Sequence, residues 1–171
     1  MGRIIGVLLL FGGIGGYLYS WIKVQKSTQR RIEELQVFLQ KSIFTMESES
    51  TKIIQLFRDY SCEDSVITDT LQEIAYRLNQ NRYPKGQSVW EEVLEEKKQS
   101  WNIDGETLEI VKNAGNGFFG RNRSENICFL QKSLKELEIQ SKKKKEKDTK
   151  ERKVWIPVGM LGGIMLTIIF I

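Results

Sequence analysis

The chain has no histidine and only two cysteines, Cys62 and Cys128, among its 171 residues. Without imidazole there is no Ser-His or Cys-His nucleophilic pair and no histidine metal ligand. Two thiols are too few for a four-ligand zinc site or for a disulfide-stapled secreted scaffold. Proline is nearly absent, at Pro84 and Pro157 alone. Charge is missing from two stretches: residues 4–22 and 154–171 hold none of the 26 basic and 22 acidic side chains. No G-x-x-x-x-G-K-[ST] sequence occurs, so the chain carries no P-loop of its own. These absences point to a small membrane protein with one charged middle section, no cofactor and no enzymatic role.

The uncharged ends set the organisation. Residues 4–22 would extend about 28 Å as a helix, against a hydrocarbon thickness of about 30 Å. Residues 154–171 are of similar length. Helix is the form that satisfies every peptide group in lipid, and Pro157 near the start of the second run removes little from it. Trp21 and Trp155 fall at the edges where interfacial aromatics belong. A cleavable signal peptide is the rival reading of the first run, but the run is long and no A-x-A-like site follows it. The expectation is therefore a transmembrane helix over 1–22, a helical bundle over 23–141, a basic juxtamembrane stalk over 142–153 and a second transmembrane helix over 154–171.

Flanking charge orients the chain. Arg3 alone precedes the first run, whereas Lys23, Lys26, Arg30 and Arg31 follow it before any acid. Lys142, Lys143, Lys144, Lys145, Lys147, Lys150, Arg152 and Lys153 precede the second, and nothing charged follows. The excess of basic residues places the middle in the cytoplasm and both termini across the membrane. Both cysteines are then expected to stay reduced, as small buried apolar residues. The sequon at Asn122 becomes a chance match.

The middle reads as helices. Ile32, Leu35, Leu39, Ile43 and Met46 share one face, widened by Phe38. Ile53, Ile54, Phe57 and Tyr60 form a second stripe, and Ile67, Leu71, Ile74 and Leu78 a third. Trp90, Val93, Leu94 and Trp101 form a fourth, Leu108 and Val111 a fifth, and Ile127, Leu130, Leu134 and Leu137 a sixth. Ser61 and Asp64, Asn122, and the Ser88–Glu91 capping box are candidate helix starts. The fold class expected is all-α: an antiparallel bundle of about six helices between two terminal transmembrane helices. Beyond Leu137 the apolar stripe stops, so residues down to Trp155 are expected to stand as a solvated stalk.

Four features invite a chemical reading. Gly115, Gly117 and Gly120 match G-x-G-x-x-G, but a helical stripe precedes them where a dinucleotide site needs a strand, and a glycine-bearing turn is the expectation. Glu91, Glu92, Glu95 and Glu96 would need inward projection from several helices to hold a metal, and Lys97 and Lys98 beside them favour a solvated face. The basic run at 142–153 has no interleaved aromatics for nucleic acid, and anionic lipid or topology alone accounts for it. Residues 23–141 carry 17 basic and 19 acidic side chains, so the bundle is not basic and nucleic acid is not an expected partner. Gly12 with Gly16, and Gly159 with Gly163, have the spacing that lets helices approach closely in lipid.

With this architecture in hand, the sequence resembles the stage III sporulation protein AB family of endospore-forming bacteria. The likeness runs through the glycine-bearing first run, the helix from Arg30 to Leu39, the tryptophan helix from Trp90 to Leu94, the paired glycines from Gly115 to Gly120, and the closing segment from Leu161 to Leu166. The chain departs from the family pattern at Arg121, Asn122, Arg123, Ser124 and Ile127, and at Ser48 to Thr51, where a Thr-Pro turn is usual. The family's helical domain is similar to the inner-membrane platform protein of type II secretion and type IV pilus machines. The resemblance implies a non-enzymatic platform subunit of a secretion-like complex linking mother cell and forespore. Its helical domain would lie on the mother-cell side of the outer forespore membrane. Its partners would be a cytoplasmic ATPase and ring-forming membrane proteins. A membrane-anchored adaptor that recruits a protein or anionic lipid is the alternative.

Overall fold

The computed structural model describes residues 2–48, 53–80 and 86–170, apart from the side chains of residues 2–11, 14, 166, 167, 169 and 170. All the secondary structure in these residues is helical: α1 (Gly2–Ser48), α2 (Ile53–Asp59), α3 (Ser65–Asn79), α4 (Gly86–Glu96), α5 (Lys98–Trp101), α6 (Gly105–Phe119) and α7 (Arg123–Phe170). The chain divides into two compact units, residues 30–141 and residues 1–29 with 142–171.

In the 30–141 unit the expected stripes close on one core. Ile32, Leu35, Phe38, Leu39, Phe57, Ile67, Ile74, Val89, Trp90, Leu94, Phe118, Leu130 and Leu137 are all buried. Each large apolar side chain so removed from water contributes about 1.5–3 kcal/mol. The cysteines depart from expectation, Cys62 being half-buried and Cys128 exposed. The centre is aromatic: Phe118 lies 5.6 Å from Phe38, 5.0 Å from Phe57 and 5.2 Å from Trp90, ring centre to ring centre. Phe38 meets Tyr60 edge-on at 4.8 Å. The Trp90 indole N–H donates to the Val111 carbonyl at 3.0 Å, so that burial leaves it satisfied.

The helix starts follow the expected caps in part. Asp64 caps α3 by accepting from the Val66 N–H, and Asp104 caps α6 by accepting from the Thr107 N–H. Asn122 accepts from the Ser124 N–H at the start of α7. Ser88 caps nothing, because α4 begins at Gly86 and Ser88 lies inside it. The fourth expected helix is two. The stripe of Trp90, Val93 and Leu94 would next bury Lys97, and the helix breaks there. The Lys97 ammonium reaches the Asp69 carbonyl at 2.9 Å, and Trp101 returns to the core on α5. The expected stop at Tyr83 and Pro84 and the Glu49 to Thr51 connection lie outside the described residues.

In the other unit, α1 and α7 meet through polar atoms. The Gln25 amide nitrogen donates to Glu151 Oε2 at 3.2 Å, and its oxygen accepts from Arg152 Nε at 3.0 Å. Gln25, Thr28 and Asp148 are buried, and Thr28 returns its hydroxyl proton to the Val24 carbonyl. Of the stalk expected beyond Leu137, most side chains from Lys142 to Lys153 are exposed, but Ser141 and Asp148 are buried. Buried positions continue from Leu137 through Ser141 to Asp148, with polar residues in place of apolar ones. Conversely, Tyr17, Val158, Leu161, Met165 and Ile168 are exposed, Ile168 at 71 %. No helix among the described residues is long and apolar enough to cross a membrane. Of the two expected spans, the side chains of residues 4–11, 14, 166, 167 and 169–171 lie outside the description.

Candidate functional site

The acidic stretch of α4 was the one candidate for metal or acid–base chemistry, and its carboxylates do not converge. Glu91 accepts from the Gln87 amide at 2.6 Å. Glu96 takes a two-pronged bond from Arg77 of α3, at 2.7 and 3.1 Å, with Glu73 at 2.7 Å and Glu92 at 3.6 Å on the same guanidinium. Glu95 pairs with Lys112 of α6 at 2.7 Å and with Lys98 at 3.2 Å. Among the described residues no group of three or more acidic or thiol side chains is placed to hold a metal ion. The hydrogen bond from Arg77 holds the Glu96 carboxyl below its ordinary range, and the bond from Lys112 does the same for Glu95. In return Glu96 raises the Arg77 guanidinium and Glu95 raises Lys112. A group held charged by paired neighbours is a poor proton carrier. This face therefore latches α4 onto α3 and α6.

For two of the three glycines of the G-x-G-x-x-G match, Gly115 and Gly117, the expected turn is corrected. Gly115 and Gly117 lie inside α6, which runs on to Phe119, and no described glycine has positive φ. They are small because neighbours press on them. A methyl group on Gly117 would stand 2.6 Å from Leu130 and 2.8 Å from the Asn126 backbone oxygen of α7. One on Gly115 would strike Gln87 and, at 2.7 Å, Trp90 of α4. Gly120 alone sits in the turn, as the cap of α6 in extended conformation, where its carbonyl accepts from the Asn126 amide at 3.1 Å. No phosphate cradle is formed.

The basic residues read as membrane-facing divide. Lys23, Lys26, Lys142, Lys143, Lys145, Lys147, Lys150 and Lys153 are exposed. Arg30 is half-exposed and pairs with Glu63. Lys144 pairs with Asp148 at 3.6 Å, and Arg152 turns to Gln25. Arg31 is wholly different. It is buried, bonds Asp64 at 2.8 Å, and donates to the carbonyls of Ser100, at 3.0 Å, and Trp101. One guanidinium thus ties α1 to the start of α3 and the end of α5, and the same carboxylate caps α3 through its other oxygen. Nothing in a charge count separates Arg31 from Arg30. The distinguishing signal is phase, since Arg31 falls on the buried side of α1 next to Ile32.

The glycine pairs are also placed. A methyl on Gly12 or Gly16 would meet nothing within 4 Å among the described residues. Gly159 is half-buried and Gly163 buried. The residue that sequence reasoning missed is Gln25. It stands seven positions before Ile32 and shares its face, a signal that an apolar-only search discards.

The sequence profile of the stage III sporulation protein AB family matches residues 3–171. The chain belongs to that family. A solved structure described as stage III sporulation protein AB superposes with a TM-score of 0.60 at 14 % identity, over 70 % of this chain and 94 % of that one. At that identity the likeness speaks for the fold alone. No curated protein matches the chain in sequence. Membership of the family links the chain to sporulation, and the all-α architecture agrees with the fold of the solved relative.

Proposed function

We propose that this family member is a non-enzymatic platform subunit of a secretion-like channel complex between mother cell and forespore. It is anchored by residues 4–22 and 154–171, with its bundle in the mother-cell cytoplasm and both termini across the outer forespore membrane. The family match along residues 3–171 carries the reading. The second uncharged run supports the anchoring: its described apolar side chains, such as Leu161 and Ile168, point outward, while the buried Gln25, Thr28 and Asp148 lie in the charged segments that flank the runs. That is the arrangement an apolar solvent favours. The exposed basic residues from Lys142 to Lys153 supply the cytoplasmic charge bias.

The bundle's role in this reading is to present a fixed helical surface to a cytoplasmic ATPase and to ring-forming membrane subunits. A core of interlocked aromatic rings suits a part that must hold its shape under load. Full-length protein solubilised from sporulating cells is expected to co-purify with an ATPase and ring components. Recovery as an isolated monomer that binds vesicles would support the adaptor reading instead. Digestion of the bundle by protease added outside sealed cells would overturn the orientation.

A further inference from the structure

Within the terminal unit, α1 and α7 enclose a half-open cavity of about 260 Å³ lined by Tyr17, Leu18, Trp21, Glu151 and Trp155. Three aromatic rings and one carboxylate around a small cavity form the chemistry that recognises an organic cation, because ring faces carry negative quadrupole charge. Glu151 is held in place from behind, by the Gln25 amide at 3.2 Å and by Lys147 at 3.9 Å. Lys147 is itself three-quarters exposed, so it screens the carboxylate without filling the cavity.

The surroundings narrow the ligand. Residues 142–153 carry eight basic and three acidic side chains, and Lys23 and Lys26 lie exposed on α1. A purely cationic ligand, such as a lysine of another protein, enters against that charge. An anionic headgroup meets the Glu151 carboxylate in the cavity wall. A zwitterion answers both demands, with its ammonium in the cavity and its phosphate among the lysines outside. We propose that Tyr17, Trp21, Trp155 and Glu151 form a site for the ammonium group of an ethanolamine-type phospholipid. The site rests on the membrane reading above, which supplies the lipid, and it gives Trp21 and Trp155 a recognition role beyond interfacial anchoring.

The test uses the full chain in a non-ionic detergent, with tryptophan fluorescence followed during titration with phosphoethanolamine and, separately, phosphoglycerol. Phosphoethanolamine is expected to give a saturable change and phosphoglycerol none. Glu151→Gln retains side-chain size, and it and Trp155→Leu should each weaken binding on the order of tenfold, with far-UV circular dichroism unchanged. Equal response to phosphoglycerol or to N-acetyl-lysine amide, or no effect of either variant, overturns the site. A second arm compares retention of ethanolamine and glycerol phospholipids by protein extracted from mixed vesicles, where enrichment of the ethanolamine lipid is expected. Protein that binds phosphoethanolamine but washes off vesicles at alkaline pH keeps the site and defeats the membrane reading. Protein that stays in vesicles without the fluorescence response defeats the site alone.

Discussion

Residues 30–141 and the terminal unit bury opposite things. The first places Phe38, Phe57, Trp90 and Phe118 at its centre and sets Arg77, Lys112 and the α4 carboxylates on its outside. The second places Gln25, Thr28 and Asp148 inside and leaves Tyr17, Val158, Leu161 and Met165 outside. Both units draw on the same two helices, α1 and α7, so neither helix geometry nor propensity accounts for the difference. What changes along each helix is which side-chain class occupies the inward phase. Polar atoms buried beside partners lose little, and apolar atoms facing outward lose little only where the surroundings are not water. The exposed apolar residues lie in the second uncharged run and the buried polar ones in the charged flanks, so the proposed anchoring concerns residues 4–22 and 154–171 alone.

The sharpest way to break the comparison is to open the aromatic core. Phe118→Ala removes a ring shared by Phe38, Phe57 and Trp90. The expected loss is about 3–5 kcal/mol, read from urea denaturation of the detergent-solubilised chain. A loss below about 1 kcal/mol would mean the cluster is not a packed core. Arg31→Met should cost about 3 kcal/mol, because it strands the Asp64 carboxylate in a buried position. Adding Asp64→Asn should restore a good part of that, as the stranded charge is then gone. No recovery in the double variant would show that the guanidinium acts through the Ser100 and Trp101 carbonyls instead.

These two variants also mark what was legible in the sequence. Phe38, Phe57, Trp90 and Leu130 are readable because apolar residues at helical spacing must find a common interior, and all of them do. Asp64 and Asn122 are readable as caps because a short acceptor before an apolar stripe satisfies free N–H groups. Arg31 is not readable by charge, since its role depends on carbonyls about seventy positions away. Gly115 and Gly117 mislead because a glycine pair looks the same whether it bends the chain or admits a neighbour. The polar seam is hidden for a related reason. Gln25 and Asp148 hold the inward phase with residue types that composition assigns to the outside.

Gly117→Ala tests the close approach of α6 and α7. The added methyl meets the Asn126 carbonyl at 2.8 Å, a backbone atom that cannot rotate away. Overpacking of this kind costs about 1–3 kcal/mol, offset in part by alanine's better helix propensity, so a net loss near 1 kcal/mol is expected. A gain in stability would show that α7 stands off from α6. A smaller effect, absent at neutral pH, concerns Tyr60. Burial first, then the nearby Cys62 and Glu34, push its hydroxyl up from 10.0 to about 12. The folded state therefore keeps a proton that the unfolded chain releases above pH 10. Its stabilising share is intact below that pH and fades as pH rises toward 12. The urea midpoint of the native chain should fall more steeply across that window than that of Tyr60→Phe, and parallel curves would contradict it.

The smallest effect is expected at the seam. Gln25→Leu deletes both bridging hydrogen bonds between α1 and α7. Yet Glu151 keeps about a third of its side-chain surface open, so its charge recovers other partners, and Lys147 remains at 3.9 Å. A net intramolecular hydrogen bond is worth about 0.5–1.5 kcal/mol, and part of that is returned by leucine's own contacts along the buried stripe. The expected change is therefore under about 1 kcal/mol, far below that of Phe118→Ala on the same denaturation assay. A loss as large as the core variant's would make the seam a second core held by polar atoms. A gain would mean that the inward phase at position 25 prefers apolar contact and that its polarity serves recognition, since Gln25 is the group that steadies Glu151 at the wall of the aromatic cavity.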